Sequence, residues 1–521
     1  MIVRCNSNCS RENSLQSSPL YQCVQQPAYE IIAISALIFG LRASASLFER
    51  AMKRPARLLL IPLLIGCSLC VHGQVRIGSD RVCAPCIRAH MEFLASDAMR
   101  GRGSATHEEL VAATYIASEL RAYGIEPAGD SGGYLQRATL VRRKLTGPPQ
   151  ITFKGPNGAS VTWNYGKEFL VSHLAQENFS APLRQVDIDK GEPEAAPGTI
   201  ILVLGSDPKK VRKAALSLVN AGAAGVIVVR KADPAYFEEA ARQLPESAIH
   251  LQGETRSALA VELNFLEVSA EAANILQELP EDTTLHFEAP STTEESYTWN
   301  AIGMLRGSDP ALRHSAVLLS AHLDHLGVGK PVNGDDIYNG ADDDASGTTA
   351  VLELARVLGT GPRPKRTVIF ALFGSEEVGG LGSMYFRKHP PIPLRDLAAD
   401  LEFEMIGRPD SAVRPGALWL TGWDRSNLGP ALAVHGAKLV GDPHPKENFF
   451  ERSDNFVLAK QGVVAQTISS YGLHSDYHEP SDDLTHIDFQ HMDKAIGSLL
   501  GPVRWLVNSR FVPQWKEGRK P

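Results

Sequence analysis

The chain has 521 residues, enough for two or three domains. Hydrophobic residues make up 43% and charged residues 21%, an ordinary globular balance that excludes a disordered or fibrous protein. The net charge of −7 speaks against a nucleic-acid binder, which carries a concentrated basic surface.

Residues 1–74 read as a leader. Met52-Lys-Arg-Pro-Ala-Arg57 is a basic start, Leu58 to Cys70 is an apolar run of secretory length, and Val71-His-Gly73 offers a cleavage site before Gln74. On this reading Met52 is a candidate initiator. The run is shorter than the roughly 20 residues of a membrane span. Two alternatives stay open: apolar anchors at Ile31–Leu41 and Leu58–Val71, or lipidation at Leu64-Ile-Gly-Cys67, which resembles a lipoprotein cleavage box. All three place the main body outside the cytoplasm, secreted or periplasmic, with any membrane anchoring confined to the leader.

Five of the seven cysteines lie in the first 70 residues, and only Cys83 and Cys86 follow. A thiol nucleophile and a Cys-rich zinc site are thereby excluded from the main body. The Cys83-Ala-Pro-Cys86 pair has no second CxxC and no thioredoxin-like surroundings, so it reads as a local disulfide or two free thiols rather than a redox centre.

Residues 85–127 carry helical spacing, with Ile87, Met91 and Leu94, then a Gly-rich break at Arg100-Gly-Arg-Gly103, then Leu110 to Tyr123 ending at Gly124. Residues 141–295 instead show short β-like runs, a helix over 209–220 and Gly-rich turns, with no cluster of His, Asp and Glu. They read as an inserted accessory domain between a 75–140 segment and a 296–515 segment of one catalytic domain. From Asn300 the pattern is α/β. Strands are expected at 316–321, 366–373, 401–406 and 462–468, with an amphipathic helix over 348–358. That alternation implies a mostly parallel sheet covered on both faces, with its site beyond the strand C-termini.

Each of these strands ends beside a candidate metal donor. Ser320-Ala-His322-Leu-Asp324-His325 puts His322 and Asp324 on one face, where Asp324 could orient the imidazole. Asn339-Gly-Ala-Asp342-Asp343-Asp344 crowds three carboxylates into one turn. A single Asp satisfies a helix cap, and three call for a compensating cation. Glu376 and Glu377 follow a buried apolar strand and point in different directions, so one can bind metal while the other faces substrate. Glu402 and Glu404 lie in an apolar strand, where an ionised carboxylate must be paired, metal-bound or on a wet edge. His478 sits in the loop after the fourth strand. Together, histidines and carboxylates without sulfur fit a catalytic zinc site.

In order, the motifs HxD, GADDDASG, SEE, EMIG and YHxP resemble those of the M28 metallopeptidases. Leu94-Ala-Ser-Asp-Ala-Met-Arg-Gly-Arg-Gly103 is similar to that family's N-terminal helices, and residues 196–230 resemble a protease-associated (PA) domain. The resemblance implies a three-layer αβα zinc-peptidase fold with an inserted β-rich PA domain. It implies two zinc ions bridged by Asp343, with His322 and Glu404 completing one and Glu377 and His478 the other. It implies Glu376 as general base, Asp324 as orienter of His322, Tyr477 as an oxyanion donor, and a cis peptide at Asp343–Asp344. Glu404 departs from the family, whose members often carry Asp there. The implied substrate is a peptide and the implied activity aminopeptidase. Carboxypeptidase, glutaminyl-cyclase-like acyltransferase and non-catalytic ectodomain are the alternatives. Oligomeric state is not legible.

Overall fold

The computed structural model describes residues 80–521 except 175, 192–196, 243, 245–248 and 255–263. The leader expected over 1–74 lies outside the described residues. Among those described, no helix is long and apolar enough to cross a membrane.

The main sheet has ten strands. Its labelled members are β1 (Leu135–Leu145), β2 (Ser291–Leu305), β3 (Ala316–His322), β4 (Val368–Phe373), β5 (Leu397–Phe403), β6 (Leu418–Leu420), β7 (Leu439–Gly441) and β8 (Val464–Ser469). The spatial order is β7-β6-β8-β5-β3-β4-β2-β1. The four central strands β4, β3, β5 and β8 run parallel, while β2 and β6 join them antiparallel. Every residue of β3, β4 and β8 is buried. Continuous apolar runs such as Val368-Ile-Phe-Ala-Leu-Phe373 suit this place, because helices cover both faces of the sheet.

One face packs against α1 (Ala84–Leu94), α2 (His107–Ala122), α3 (Gly347–Thr360) and α5 (Phe489–Asn508). The other packs against α4 (Leu381–Lys388) and the short helix Asn455–Ala459. The result is the expected αβα layering. Helix α3 is buried from Gly347 to Leu358. Its one ion pair, Glu353 with Arg356, is buried with it, and Glu353 accepts a hydrogen bond from Cys83 N at 2.9 Å. Cys83 and Cys86 form a local disulfide at the start of α1.

Strand β5 differs from expectation. It occupies residues 397–403 rather than 401–406 and lies in the interior of the sheet, so no wet edge relieves its acids. Hydrogen bonds do. Asp400 accepts from Ser320 Oγ at 2.7 Å, and Glu402 accepts from Ser453 Oγ, Thr467 Oγ1 and Asn455 N. The chain leaves the strand at Glu404, and Met405 adopts φ 51°.

Strands β1 and β2 are long and pair from Leu135↔Ala301 to Leu145↔Ser291. This ribbon carries the segment between them, which builds an eight-stranded sheet of its own. Residues His250–Leu251 return from that segment to pair with β1. There Ile249 and Leu251 pack with Leu381, Met384 and Val457.

Candidate active site and metal centre

The C-terminal ends of β3, β4 and β5 and the loop after β8 bring the candidate residues together. At the end of β3, His322 Nε2 lies 3.1 Å from Asp343 Oδ1, and its Nδ1 faces Asp324 Oδ1 at 3.7 Å. Asp324 does more than face the imidazole. Its Oδ1 accepts from Glu376 N at 3.0 Å, and its Oδ2 accepts from Ser104 Oγ at 2.5 Å. A buried carboxylate thus ties the end of β3 to the turn after β4.

The three aspartates of the turn into α3 have separate tasks. Asp342 accepts from Gly407 N at 2.7 Å, and its other oxygen lies 3.0 Å from His474 Nε2. Asp344 accepts from Gly347 N and Met405 N, capping α3 and fastening the loop after β5. Of the three, Asp343 alone turns its carboxylate toward both His322 and His478. The Asp343–Asp344 peptide is cis, as the resemblance implied. Glycine is required on both sides of this turn. Gly340 has φ 60°, and a Cβ there would meet Asp343 O at 2.2 Å and the His325 ring at 2.5 Å. A Cβ at Gly347 would meet Phe403 O at 2.2 Å.

Glu377 and His478 complete the other side. His478 Nε2 lies 3.1 Å from Glu377 Oε2 and 3.2 Å from Asp343 Oδ2. Two sets of donor atoms therefore share Asp343. In each, the donor atoms lie within 4.8 Å of one another: His322, Asp343 and Glu404 in one, His325, Asp343 and Glu377 in the other. All five residues expected as ligands converge, and His325 joins them. Sequence reading passed over His325, although it stands three residues after His322 at the same strand end.

The electrostatics show a site short of positive charge. Burial, then Glu402, pushes the Glu404 carboxyl up to about 8. Burial holds Glu376 well above the usual carboxylate range, with Asp454, Glu377 and Glu404 adding to it. Burial and Asp343 push Glu377 up too, but the imidazoles of His325 and His478 outweigh them and hold it at about 2. Burial works against a charged His478, yet hydrogen bonds to Asp343 and Glu377 raise it to about 10.

Beside Glu404 a small cavity of about 30 Å³ is walled by Trp419, Phe449, Tyr471, Tyr477 and Arg452. The Tyr477 ring stacks on His478 with centroids 3.9 Å apart. Burial, then the charges of Asp343, Glu377 and Glu404, pushes its phenol above the ordinary range, so it remains a hydroxyl donor. A larger cavity, about 920 Å³, lies within the insert and contains none of these residues.

Two supporting residues gave little signal in sequence. Arg102, read only as part of a Gly-rich break, is buried and donates to the carbonyls of Leu323, Leu94, Asn339 and Gly340. Asp482 accepts from the backbone N–H groups of Asp342 and Asp343 at 3.0 Å each.

The residues that converge here fall within a stretch, 300–500, that matches Peptidase family M28. Residues 300–500 are an M28 peptidase domain. The chain has curated relatives. It is 28% identical over 214 residues to leucine aminopeptidase 1 of Sclerotinia sclerotiorum, covering 37% of this chain and 53% of that one. It is 27% identical over 230 residues to the probable lipoprotein aminopeptidase LpqL of Mycobacterium tuberculosis, covering 38% and 43%. The chain thus spans about half the length of these curated relatives. Among solved structures, the aminopeptidase from Aneurinibacillus sp. strain AM-1 superposes with a TM-score of 0.50 at 18% identity. It covers 83% of this chain and 96% of that one, and shares its fold.

Proposed function

We propose that the chain is a zinc-dependent exopeptidase, most simply an aminopeptidase, holding two zinc ions on His322, Asp343, Glu404 and on Asp343, Glu377, His478. The observation that carries this reading is the pair of donor clusters sharing Asp343 beside Glu376. The residues fit the ions. Nitrogen and carboxylate donors without sulfur suit catalytic zinc. Buried donor atoms, Glu377 Oε1 among them, lack hydrogen-bond partners. The crowded, raised carboxylates are those that a cation would compensate. The relatives named above are aminopeptidases by name, which supports the same reaction class.

In this reading Glu376 is the general base. It stands one residue from Glu377, with its backbone N–H fixed by Asp324, and takes a proton from the attacking water. It then returns that proton to the leaving amine. Asp324 keeps His322 facing Asp343 and holds the Glu376–Glu377 turn in register. Tyr477, a hydroxyl at neutral pH, donates to the oxygen that gains charge on the attacked carbonyl. Zinc bound in the two clusters would polarise that carbonyl and make the attacking water more acidic.

Arg452 in the cavity wall favours a second reading, since a guanidinium there suits a carboxylate: a carboxypeptidase, or a preference for acidic residues. The β-rich insert, proposed as a PA domain, holds no part of the site among its described residues and would shape substrate choice. The leader readings, with secretion or lipid anchoring, remain proposals of the same kind. A panel of amino-acid anilides and amine-blocked dipeptides tests the reaction. Cleavage restricted to free amino termini supports the aminopeptidase. Cleavage of blocked substrates at a free carboxyl end supports the second reading, and no cleavage of either sinks both.

A further inference from the structure

The proposed ligand set leaves one histidine of the cluster without a task. His325 follows Asp324 where the chain leaves β3, and its side chain is 0% exposed. Its Nδ1 lies 2.8 Å from Glu377 Oε1 and 3.9 Å from Asp343 Oδ2. Despite that closeness, neither ring nitrogen of His325 nor Glu377 Oε1 has a hydrogen-bond partner among the described residues. The nitrogen and the oxygen are close, yet the angles of a hydrogen bond between them are missing. Donors about 2.0–2.2 Å from a shared zinc stand roughly 3–4 Å from each other. The 3.9 Å from Nδ1 to Asp343 Oδ2 matches that spacing, the 2.8 Å to Glu377 Oε1 is the shorter contact of an ion pair, and the donor atoms of His325, Asp343 and Glu377 all lie within 4.8 Å of one another.

The ring also has little freedom to turn away. Gly340 leaves it room only by lacking a Cβ, which would lie 2.5 Å from His325 Cγ. Its face meets His478 edge-on, with centroids 5.8 Å apart and planes at 74°. The backbone on either side is pinned as well. His325 N donates to Arg102 O at 3.1 Å, and His325 O accepts from Ser104 N at 3.2 Å.

We propose that His325 is a third imidazole ligand of the site, binding through Nδ1 the metal that Asp343, Glu377 and His478 hold. The proposal rests on the two-zinc reading above. It makes the two positions unequal. The Glu377 side has four protein donors, and the His322–Asp343–Glu404 side has three. The second is then the more open position, the one with room for water and a substrate carbonyl.

X-ray absorption at the zinc edge, on the full chain loaded with zinc, counts imidazoles directly. Three histidines over two ions give an average of about 1.5 imidazoles per zinc, and two histidines give about one. The first result supports the proposal and the second overturns it. A variant adds an independent reading. In His325→Asn the amide keeps a donor near the Nδ1 position but cannot replace an imidazole as ligand. Titration of the metal-free variant with zinc should show one of the two sites loosened by about tenfold or more relative to the parent, with the other site unchanged. Unchanged affinity at both sites would mean that His325 merely orients Glu377, which overturns the proposal. If the variant fails to fold, the absorption result on the parent decides alone. If the parent binds fewer than two zinc ions, the two-zinc reading falls together with this one. Two zincs at one imidazole each overturn only the His325 assignment.

Discussion

In the M28 domain, β4, β3, β5 and β8 run parallel, and acids and histidines gather at their C-terminal ends. In the insert, residues 183–187, 200–204, 225–229 and 264–268 also run parallel, and a helix begins at Pro208 just after one of them. A cavity of about 920 Å³ opens there, against about 30 Å³ beside Glu404. The insert's strand ends supply a different chemistry. Arg230 donates two hydrogen bonds to Glu267, at 2.6 and 2.7 Å, closing the pair on itself. At the M28 strand ends Glu377 Oε1 and both His325 nitrogens are left without such partners. Topology provides a place at the strand ends in both sheets. What distinguishes a site is the set of buried groups that still lack a counter-charge, and cavity volume points the wrong way.

The comparison can be broken most forcefully at Glu376. Glu376→Gln should lower turnover by about 10²–10⁴-fold while zinc content, measured by elemental analysis, stays unchanged. Turnover near the parent's would remove Glu376 as the base. Next in size is Arg102. Arg102→Met strips four backbone carbonyls of their donor and should cost about 3 kcal/mol or more, read as a lower midpoint in urea. An unchanged midpoint would show that the buried guanidinium is not what holds the turn.

The pH dependence of the metal-free protein is a further test. Glu404 is raised from 4.5 to about 8, so the fold keeps its proton while the unfolded chain has lost it. Its contribution is full below about pH 4.5 and is lost as pH climbs to about 8. His478, raised from 6.5 to about 10, adds stability below its unfolded value that is lost as pH rises through the folded one. Glu377, held at about 2, is ionised in both states across this range and adds no slope. The melting temperature of metal-free protein should therefore fall between about pH 6 and pH 9. Saturating zinc should flatten or reverse the fall, because metal competes with protons for the same atoms. A metal-free melting temperature that rises with pH would contradict the crowded-carboxylate picture. The smallest effect belongs to the insert. Arg230→Ala should cost about 1 kcal/mol or less and leave zinc binding untouched, since the pair is part-exposed and far from any donor cluster in sequence. A loss of zinc in that variant would mean that the two regions are coupled.

Much of this site is legible in sequence because metal donors must sit where strands end, and apolar runs such as Ala316–His322 announce those ends. The turn aspartates were legible as a group but not singly. Only the fold shows that Asp342 and Asp344 bind backbone N–H groups while Asp343 faces His322 and His478. Glu402 and Glu404 look alike in sequence. A shift of the strand end by three residues makes Glu402 a hydrogen-bonded core group and Glu404 a member of the cluster. Arg102 was invisible because its partners are backbone carbonyls, which leave no residue-type signature. CxxC spacing suits both a disulfide and two free thiols, and the fold shows the Cys83–Cys86 disulfide.

Zinc titration of metal-free parent, Glu404→Ala and Asp343→Ala tests the shared-aspartate arrangement most directly. The account predicts two tightly held zinc ions in the parent, one in Glu404→Ala, and none held tightly in Asp343→Ala, because both donor clusters use Asp343. An Asp343→Ala protein that folds and still holds two zinc ions tightly would contradict it.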